Sequence, residues 1–300
     1  MSIIETAIQR ARRAERAGAK EGANAPASPG LATASAPGSA VPRAAPVTWP
    51  GAEFHGAEVD FSVERLFSAG LAPPAERRRR LLHEYRVVRR SLLESLAANA
   101  ASVGDGANRV MVTSAFAREG KTFTSVNLSL CLVLERAREV VLIDADLPRR
   151  DLSVRLGLGE DPGLVDLLKN PSLEVGSTVR RTSVPGLFFL PAGEPDELAN
   201  ELLGSDAMKA IARQLAAPGR ILLFDSAPLL MTSESATLSD VVGQVVLVVR
   251  AGSTPRYAVA AAVEQLSDNK PVAALLNGFE SFGPHGGYYG YYGGYGSYGG

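Results

Sequence analysis

The stretch RVMVTSAFAREGKTFTSVNLSL, residues 109–130, decides the fold of this 300-residue chain. Its first six residues form an apolar run typical of a buried β-strand, and the pattern of residues 122–136 favours a helix. Gly120, Lys121 and Thr122 lie where the strand gives way to the helix, which is where a P-loop places these residue types. The stretch therefore predicts a strand, a phosphate-binding loop and a helix in succession.

The residue types of this loop suit a nucleotide phosphate. Backbone N–H groups of such a loop and of the following helix point at phosphate oxygens. Lys121 would add a positive charge at the β- and γ-phosphates of ATP, and the Thr122 hydroxyl would be placed for Mg²⁺. The usual pattern is G-x-x-x-x-G-K-[ST], and Ala115 takes the place of its first glycine. The residues predicted to bind ATP are Ser114, Ala115, Phe116, Ala117, Arg118, Glu119, Gly120, Lys121, Thr122 and Phe123.

Short apolar runs alternate with helical patterns along most of the chain. Strands are predicted at 109–114, 140–144, 187–191, 221–225, 244–250 and 272–277. Helices are predicted at 75–101, 122–136, 164–168, 205–216 and 255–266. The apolar stripe predicted for the first of these helices consists of Leu81, Leu82, Tyr85, Val88, Leu92 and Leu96. Continuously apolar strands are buried on both faces, so we expect an α/β fold of the P-loop NTPase type, with a mostly parallel sheet and helices on both faces.

Acidic residues follow two of the predicted strands. Asp144 and Asp146 lie at the end of one strand, and Asp225 lies at the end of another. Ligands of open α/β sheets bind at the carboxyl ends of the strands, where carboxylates can hold Mg²⁺ or orient a nucleophile. One such Asp is usually a turn residue, but three beside a phosphate loop predict an active site. The predicted catalytic residues are Lys121, Asp144, Asp146 and Asp225, and the predicted metal ligands are Thr122, Asp144 and Asp225.

The two ends of the chain differ from its centre. Residues 1–17 favour a short helix, because Ile4 and Ile8 repeat at helical spacing. Residues 18–60 are predicted to be a disordered linker, rich in Ala, Pro, Gly and Ser up to residue 50. A folded domain is predicted at 75–280, and residues 281–300 form a Gly- and Tyr-rich tail with six of the eight tyrosines. Such a composition predicts a tail that does not fold.

The overall composition excludes several classes of protein. The formal net charge of −1 gives no reason to expect a nucleic acid partner. The single cysteine, Cys131, excludes a disulfide framework within the chain. No apolar run approaches the ~18–20 residues that span a bilayer, so we expect a cytoplasmic protein.

Three segments together resemble a known family. AFAREGKT (115–122), IDADLPRR (143–150) and FDSAP (224–228) resemble the three nucleotide-binding motifs of the bacterial tyrosine kinases. The family's loop pattern resembles S-x-x-P-x-E-G-K-[ST], and in this chain Ala117 replaces its proline. The resemblance runs from about residue 75 to the end of the chain and includes VVRAGSTPR (248–256) and ALLNG (274–278). It implies an ATP- and Mg²⁺-dependent protein-tyrosine autokinase of exopolysaccharide assembly, in which Asp146 accepts or orients the proton of the tyrosine hydroxyl.

The resemblance also implies substrates and partners. The opening MSIIETAI (1–8) is similar to a subgroup from exosortase-type loci, whose kinase is a cytoplasmic chain held at the inner membrane by a separate chain-length-regulator protein. A cognate tyrosine phosphatase is a second implied partner. Family members act mainly in trans within a ring of subunits, whose E-x-x-R-x-x-R contact motif matches Arg86 and Arg89 but has His83 in place of the acid. The implied phosphoacceptors are Tyr288, Tyr289, Tyr291, Tyr292, Tyr295 and Tyr298.

Two other functions fit parts of the sequence. A partitioning or cell-division ATPase of the related P-loop class would carry a signature lysine directly after the first glycine position, where this chain has Phe116. A non-catalytic scaffold would use the tail as a cohesive low-complexity segment. ATP-dependent release from a partner without phosphotyrosine would favour the ATPase, and a purified protein that lacks phosphotyrosine would favour the scaffold.

Overall fold

The strands form one eight-stranded sheet in the computed structural model, which describes residues 53–135, 138–196, 199–266 and 270–278. The strands are β1 Gly56–Val59, β2 Arg109–Ser114, β3 Glu139–Ala145, β4 Arg180–Thr182, β5 Leu187–Leu190, β6 Arg220–Ser226, β7 Gln244–Arg250 and β8 Val272–Asn277. Their order across the sheet is β1-β4-β5-β3-β6-β2-β7-β8. The β4–β5 pair is antiparallel, and the other neighbouring pairs are parallel. The predicted mostly parallel α/β sheet is confirmed.

The helices among the described residues connect these strands. They are α1 Val63–Ser68, α2 Ala75–Val103, α3 Lys121–Leu132, α4 Asp151–Leu156, α5 Leu164–Lys169, α6 Val175–Thr178, α7 Ala199–Leu202, α8 Asp206–Leu215, α9 Glu234–Ser239 and α10 Arg256–Glu264. A short 3₁₀ turn, Gly104–Gly106, follows α2. The predicted strands at 109–114, 244–250 and 272–277 have the observed bounds, whereas the helix predicted at 122–136 begins at Lys121 and ends at Leu132.

A hydrophobic core covers each face of the sheet. Side chains alternate between the faces along a strand, so Met111 of β2 belongs to one core, while Val110 and Val112 belong to the other. The first core includes Met208 of α8, and the second includes Leu128 of α3. The helices therefore lie on both faces, as the continuous apolar strands predict. The sheet is fixed from both sides, which holds the carboxyl ends of its central strands in place.

The predicted linker extends too far along the chain. Gly56–Val59, within the range 18–60, forms the edge strand β1 and pairs in parallel with β4. Gly56 packs so tightly that a Cβ atom there would lie 2.3 Å from the carbonyl oxygen of Val179. Just before the strand, the Phe54 ring meets the Phe188 ring edge-on, with 4.8 Å between the centroids. The folded part of the chain therefore begins before residue 60, and α1 with its buried Leu66 follows at once.

The long helix α2 confirms most of its predicted stripe. Tyr85 and Leu92 are buried in the core beneath α2. The half-buried members of the stripe that pack against this core are Leu81, Val88 and Leu96. Leu82 is 37% exposed, so its assignment to the stripe is wrong. Neighbouring residues on a helix point about 100° apart, and Leu81 already occupies the position that faces the core.

The predicted N-terminal helix, nearly all of the linker and the tyrosine-rich tail lie outside the described residues. Within the part of the chain that the structure describes, no helix combines the length and the apolar character needed to cross a membrane.

Candidate active site

The loop between β2 and α3 has the backbone form that its sequence requires. Arg118 and Gly120 both have positive φ angles, of 64° and 99°. A Cβ atom on Gly120 would lie 2.0 Å from Nδ2 of Asn277, so this position needs glycine for both its conformation and its space. Ala115, where the usual pattern has glycine, is buried in the core and does not have a positive φ angle. The loop therefore accommodates the alanine without backbone strain.

Side chains from within the loop and from two distant segments hold this loop. The Ser114 hydroxyl donates to the Phe116 carbonyl at 2.6 Å, and the Glu119 carboxylate accepts from Phe116 N at 3.0 Å. The same carboxylate accepts from the hydroxyl of Thr254, in the loop after β7. Asn277, the last residue of β8, donates from Nδ2 to the Glu119 carbonyl at 2.8 Å. Glu119 is thus the point at which the ends of β7 and β8 are tied to the loop.

Lys121 lies at the start of α3 and faces the acidic residues. It is 5% exposed, and its charge lowers the pKa of both Asp146 and Asp225 against the effect of burial. The Thr122 hydroxyl also lowers the pKa of Asp225. Ala117 and Phe123 are half-buried in this region, while Arg118 is exposed. The structure therefore brings Lys121 and Thr122 together with the strand-end carboxylates, as the sequence predicts.

Asp144 and Asp225 form a buried pair across neighbouring strands. They stand opposite each other in the β3–β6 register, and both side chains are almost completely buried. Burial raises the pKa of Asp144 to about 7, although two hydrogen bonds from Ser153 oppose the rise. Burial and the neighbouring Asp144 raise the pKa of Asp225 to about 7. Two buried carboxylates that face each other repel when both are ionised, so the pair favours binding either a proton or a cation.

Asp146 lies just beyond β3, and its side chain is also buried. Burial raises its pKa, while Lys121 and Arg149 act in the opposite direction. Its carbonyl oxygen accepts hydrogen bonds from the backbone N–H groups of Arg149 and Arg150 at 3.0 and 2.7 Å. The turn that follows β3 therefore fixes the backbone of Asp146 at the edge of the site.

The donor set fits a magnesium ion that arrives with phosphate. Asp144 Oδ1 and Asp146 Oδ1 are buried and have no hydrogen-bond partner. Among the described residues, no group of three or more His, Cys, Asp or Glu side chains is arranged to hold a metal by itself. Mg²⁺ commonly binds one or two carboxylates and takes its other ligands from phosphate and water. Unpartnered carboxylate oxygens beside a phosphate loop match that mode.

Sequence reasoning missed the residues that orient these carboxylates. Ser153, from α4, donates to Asp144 Oδ2 from its backbone N–H at 2.8 Å and from its hydroxyl at 2.7 Å. Ser125, one helical turn after Lys121, donates to Asp225 Oδ1 at 2.9 Å. Its helical spacing from Lys121 was a usable signal, whereas nothing in the local pattern distinguishes Ser153. Thr254 and Asn277 belong to stretches that carry the family resemblance, but their contact with Glu119 depends on the folded chain.

The predicted oligomer contact lies on α2, away from this site. Arg86 is exposed. Arg89 donates to the Cys131 carbonyl at 3.2 Å and forms an ion pair with Glu135 at 3.4 Å, so it is bound to its own chain. The six tail tyrosines lie outside the described residues. The oligomeric role of Arg86 and Arg89 and the acceptor role of the tail therefore stay predictions.

Two curated proteins that are similar to this chain are both named as tyrosine-protein kinases. Tyrosine-protein kinase YwqD of Bacillus subtilis is 32% identical over 198 residues, which cover 65% of this chain and 80% of YwqD. The putative tyrosine-protein kinase EpsB of Ralstonia solanacearum is 34% identical over 146 residues, which cover 48% of this chain and 19% of EpsB. The chain thus spans most of YwqD but about a fifth of the length of EpsB. No protein-family model matches the chain.

Two solved structures of kinase domains share the fold of this chain. The kinase domain of the Escherichia coli tyrosine kinase ETK superposes with a TM-score of 0.56 at 23% identity, covering 68% of this chain and 80% of that domain. The kinase domain of VpsO superposes with a TM-score of 0.52 at 28% identity, covering 65% of this chain and all of that domain.

Proposed function

The chain belongs to the family of bacterial tyrosine kinases, and from this membership we propose that it uses ATP and Mg²⁺ to phosphorylate the tyrosine cluster near its own carboxyl terminus. One observation carries the proposal. A phosphate loop with a buried lysine lies directly beside the buried pair of Asp144 and Asp225. This combination of a phosphate-binding cation and carboxylates suited to Mg²⁺ is what phosphoryl transfer needs.

The roles of the residues follow from their positions. Lys121 and the backbone N–H groups of the loop bind the β- and γ-phosphates. Thr122 and Asp144 would hold Mg²⁺ directly or through water, with Asp225 behind them, and the bound ion would neutralise charge on the phosphates. Asp146 accepts the hydroxyl proton of the tyrosine, and its raised pKa makes it a better base than an exposed Asp. Catalysis then consists mainly of positioning and charge stabilisation.

The start of the tail supports its role as substrate. The described chain ends with Gly278, one residue after Asn277, and the side chain of Asn277 is bonded to the phosphate loop. The carboxyl end of β8, which the tail follows in the sequence, therefore lies at the edge of the sheet that carries the site. Tyr288 follows Asn277 by 11 residues. Fully extended, they reach roughly 36–40 Å, enough for a tyrosine to approach the site of the same chain or of a neighbour.

The biological setting belongs to the same proposal. We infer a cytoplasmic homo-oligomer that phosphorylates itself in trans and is held at the membrane by a separate chain-length-regulator protein. Each phosphate adds about −1.5 to −2 charges. Several phosphates on one tail would repel one another, weaken contacts between subunits and dissolve the assembly. Cycles of phosphorylation, with removal by a cognate phosphatase, would regulate exopolysaccharide polymerisation and export.

The two competing functions receive less support. Phe116 takes the place of the signature lysine of the partitioning ATPases, and its side chain packs against the core. A scaffold would have no use for buried carboxylates whose pKa values burial has raised, because such groups reduce stability unless a ligand compensates them.

Substitution of Lys121 tests the proposal. We expect Lys121→Met to lower phosphotyrosine, after incubation with ATP and Mg²⁺, by at least about a hundredfold, because loss of one such charge contact costs several kcal/mol in the transition state. Lys209→Met is the matched control, since Lys209 lies on α8 and pairs with an exposed Asp206. Circular dichroism checks that both variants fold. Equal phosphotyrosine in the two variants would refute the assignment.

A further inference from the structure

Tyr257 is an exposed tyrosine for which the fold gives no packing role. It is 72% exposed, whereas Tyr85, the other tyrosine among the described residues, is 6% exposed. Tyr257 is the second residue of α10, whose buried residues are Ala258 and Ala262. The tyrosine ring therefore contributes little apolar burial to the stability of the fold. Its hydroxyl is accessible to a protein partner.

The position of Tyr257 ties it to the edge of the sheet that carries the active site. Strand β7 pairs in parallel with β2, so both strands end at the same edge. The chain then passes through Thr254, whose hydroxyl donates to the Glu119 carboxylate in the phosphate loop. Tyr257 follows three residues later, in the first turn of α10. The exposed Tyr257 thus lies near the same edge of the sheet as the site proposed to transfer phosphate.

The charged groups near Tyr257 would not repel a phosphate on its hydroxyl. The first turn of α10 contains no acidic residue, and the exposed Arg256 directly precedes Tyr257. The amino-terminal end of a helix and a neighbouring cation both stabilise a negative charge. A phosphate on Tyr257 would therefore not unfold α10, in contrast to a phosphate on the buried Tyr85.

We propose that Tyr257 is a further phosphoacceptor of this kinase, modified by a second copy of the chain. This inference rests on the proposed function. Ala258 and Ala262 are buried and fix α10 to the core, so Tyr257 lacks the long tether of the tail tyrosines, and we assign the transfer to a second copy. In the step, a bond forms between Tyr257 Oη and the γ-phosphorus, the bond from that phosphorus to the bridging oxygen breaks, and ADP leaves. The hydroxyl proton passes to Asp146 of the copy that holds ATP.

Peptide mass spectrometry of the full chain separates this site from the tail. Cleavage after glutamate places Tyr85, Tyr257 and the six tail tyrosines in three different peptides, with residues 85–94, 235–264 and 281–300. After incubation with ATP and Mg²⁺, we expect phosphate in the second and third peptides but not in the first. Tyr257→Phe should remove phosphate from the second peptide and leave the phosphate of the third unchanged.

The outcomes distinguish this inference from the proposed function. Phosphate in peptide 281–300 with none in peptide 235–264 would overturn the inference and leave the proposed function standing. Phosphate on Tyr85 at the level of Tyr257 would also overturn it, because exposure would then not select the acceptor. A chain without phosphotyrosine in any peptide would contradict the proposed function, and the inference with it.

A mixture of two variants tests the transfer between copies. An active chain with Tyr257→Phe is incubated with a Lys121→Met chain, so that peptide 235–264 carries an acceptor tyrosine in the inactive chain alone. Phosphate on this peptide supports transfer from the second copy. Its absence, when the unmixed parent chain is modified at Tyr257, would contradict transfer in trans.

Discussion

The buried pair of Asp144 and Asp225 is the most informative feature at the scale of single residues. Two strand ends place the carboxylates in register, and the core removes water from both. Burial raises the pKa of each to about 7, so the site without ligand favours protons where the loaded site would favour a cation. The positive charge of Lys121 offsets part of the negative charge of Asp225, but Lys121 interacts with Asp146 as well. The buried pair therefore lowers the stability of the ligand-free fold at neutral pH.

The raised pKa of Asp225 predicts a pH-dependent stability of the ligand-free chain. The unfolded chain releases this proton near pH 4, whereas the folded chain holds it up to about pH 7. The free energy of unfolding therefore falls as the pH rises from 4 to 7. Asp225→Asn removes this penalty. We expect it to raise the unfolding free energy at pH 8 by on the order of 1–2 kcal/mol and to change it little at pH 4.5.

Urea denaturation with a metal chelator and without nucleotide measures this difference. Asp206→Asn is the control, because Asp206 has an exposed side chain at the start of α8. The prediction fails if Asp225→Asn has the same effect at both pH values, or if the control reproduces its dependence on pH.

At the scale of elements, the phosphate loop depends on two distant segments. Thr254 follows β7 and Asn277 ends β8, and both bind Glu119. In turn, Gly120 leaves the space that the Asn277 amide fills. The loop is therefore an assembly of three chain segments, although its motif is continuous in sequence. These contacts hold a loop that has alanine at two positions, 115 and 117, where the common patterns have glycine and proline.

A substitution in strand β1 tests whether the folded domain begins at this strand. Gly56→Ala would place a Cβ atom 2.3 Å from the Val179 carbonyl oxygen, so the edge strand must shift. We expect a loss of about 1–3 kcal/mol in unfolding free energy, the range typical of overpacking. Glu58→Ala, on the exposed side of the same strand, should cost much less. Thermal unfolding of the two variants measures the difference, and an unchanged melting temperature for Gly56→Ala would place β1 outside the cooperative unit.

At the scale of the whole molecule, the tail is proposed to link catalysis to assembly. Phosphates on the tail would repel one another and weaken contacts between subunits. We expect ATP to shift the parent chain toward smaller species, whereas a variant with all six tail tyrosines changed to phenylalanine should not respond. Size-exclusion chromatography with light scattering measures the distribution. The same distribution with ATP for parent and variant would exclude this mode of regulation.

Much of the fold could be predicted because buried strands and the phosphate loop are recognisable from short, continuous stretches of sequence. The bounds of β2, β7 and β8 agree with their apolar runs, and Lys121, Asp144 and Asp225 meet at one edge because parallel strands share their carboxyl ends. Strands β1 and β4 escaped prediction because they are short and contain no continuous apolar run. Their assignment depends on pairing with each other, which no local pattern contains.

The sequence by itself determined the class of fold, the phosphate loop and the identity of the acidic residues, because each depends on residue types at fixed local spacing. The tertiary structure alone decided which groups orient them. Ser153 reaches Asp144 from α4, and Thr254 and Asn277 reach Glu119 across 135 and 158 positions of the chain. Such contacts depend on how helices and strands pack. The same packing leaves Tyr257 exposed and Tyr85 buried, a difference that residue type does not encode.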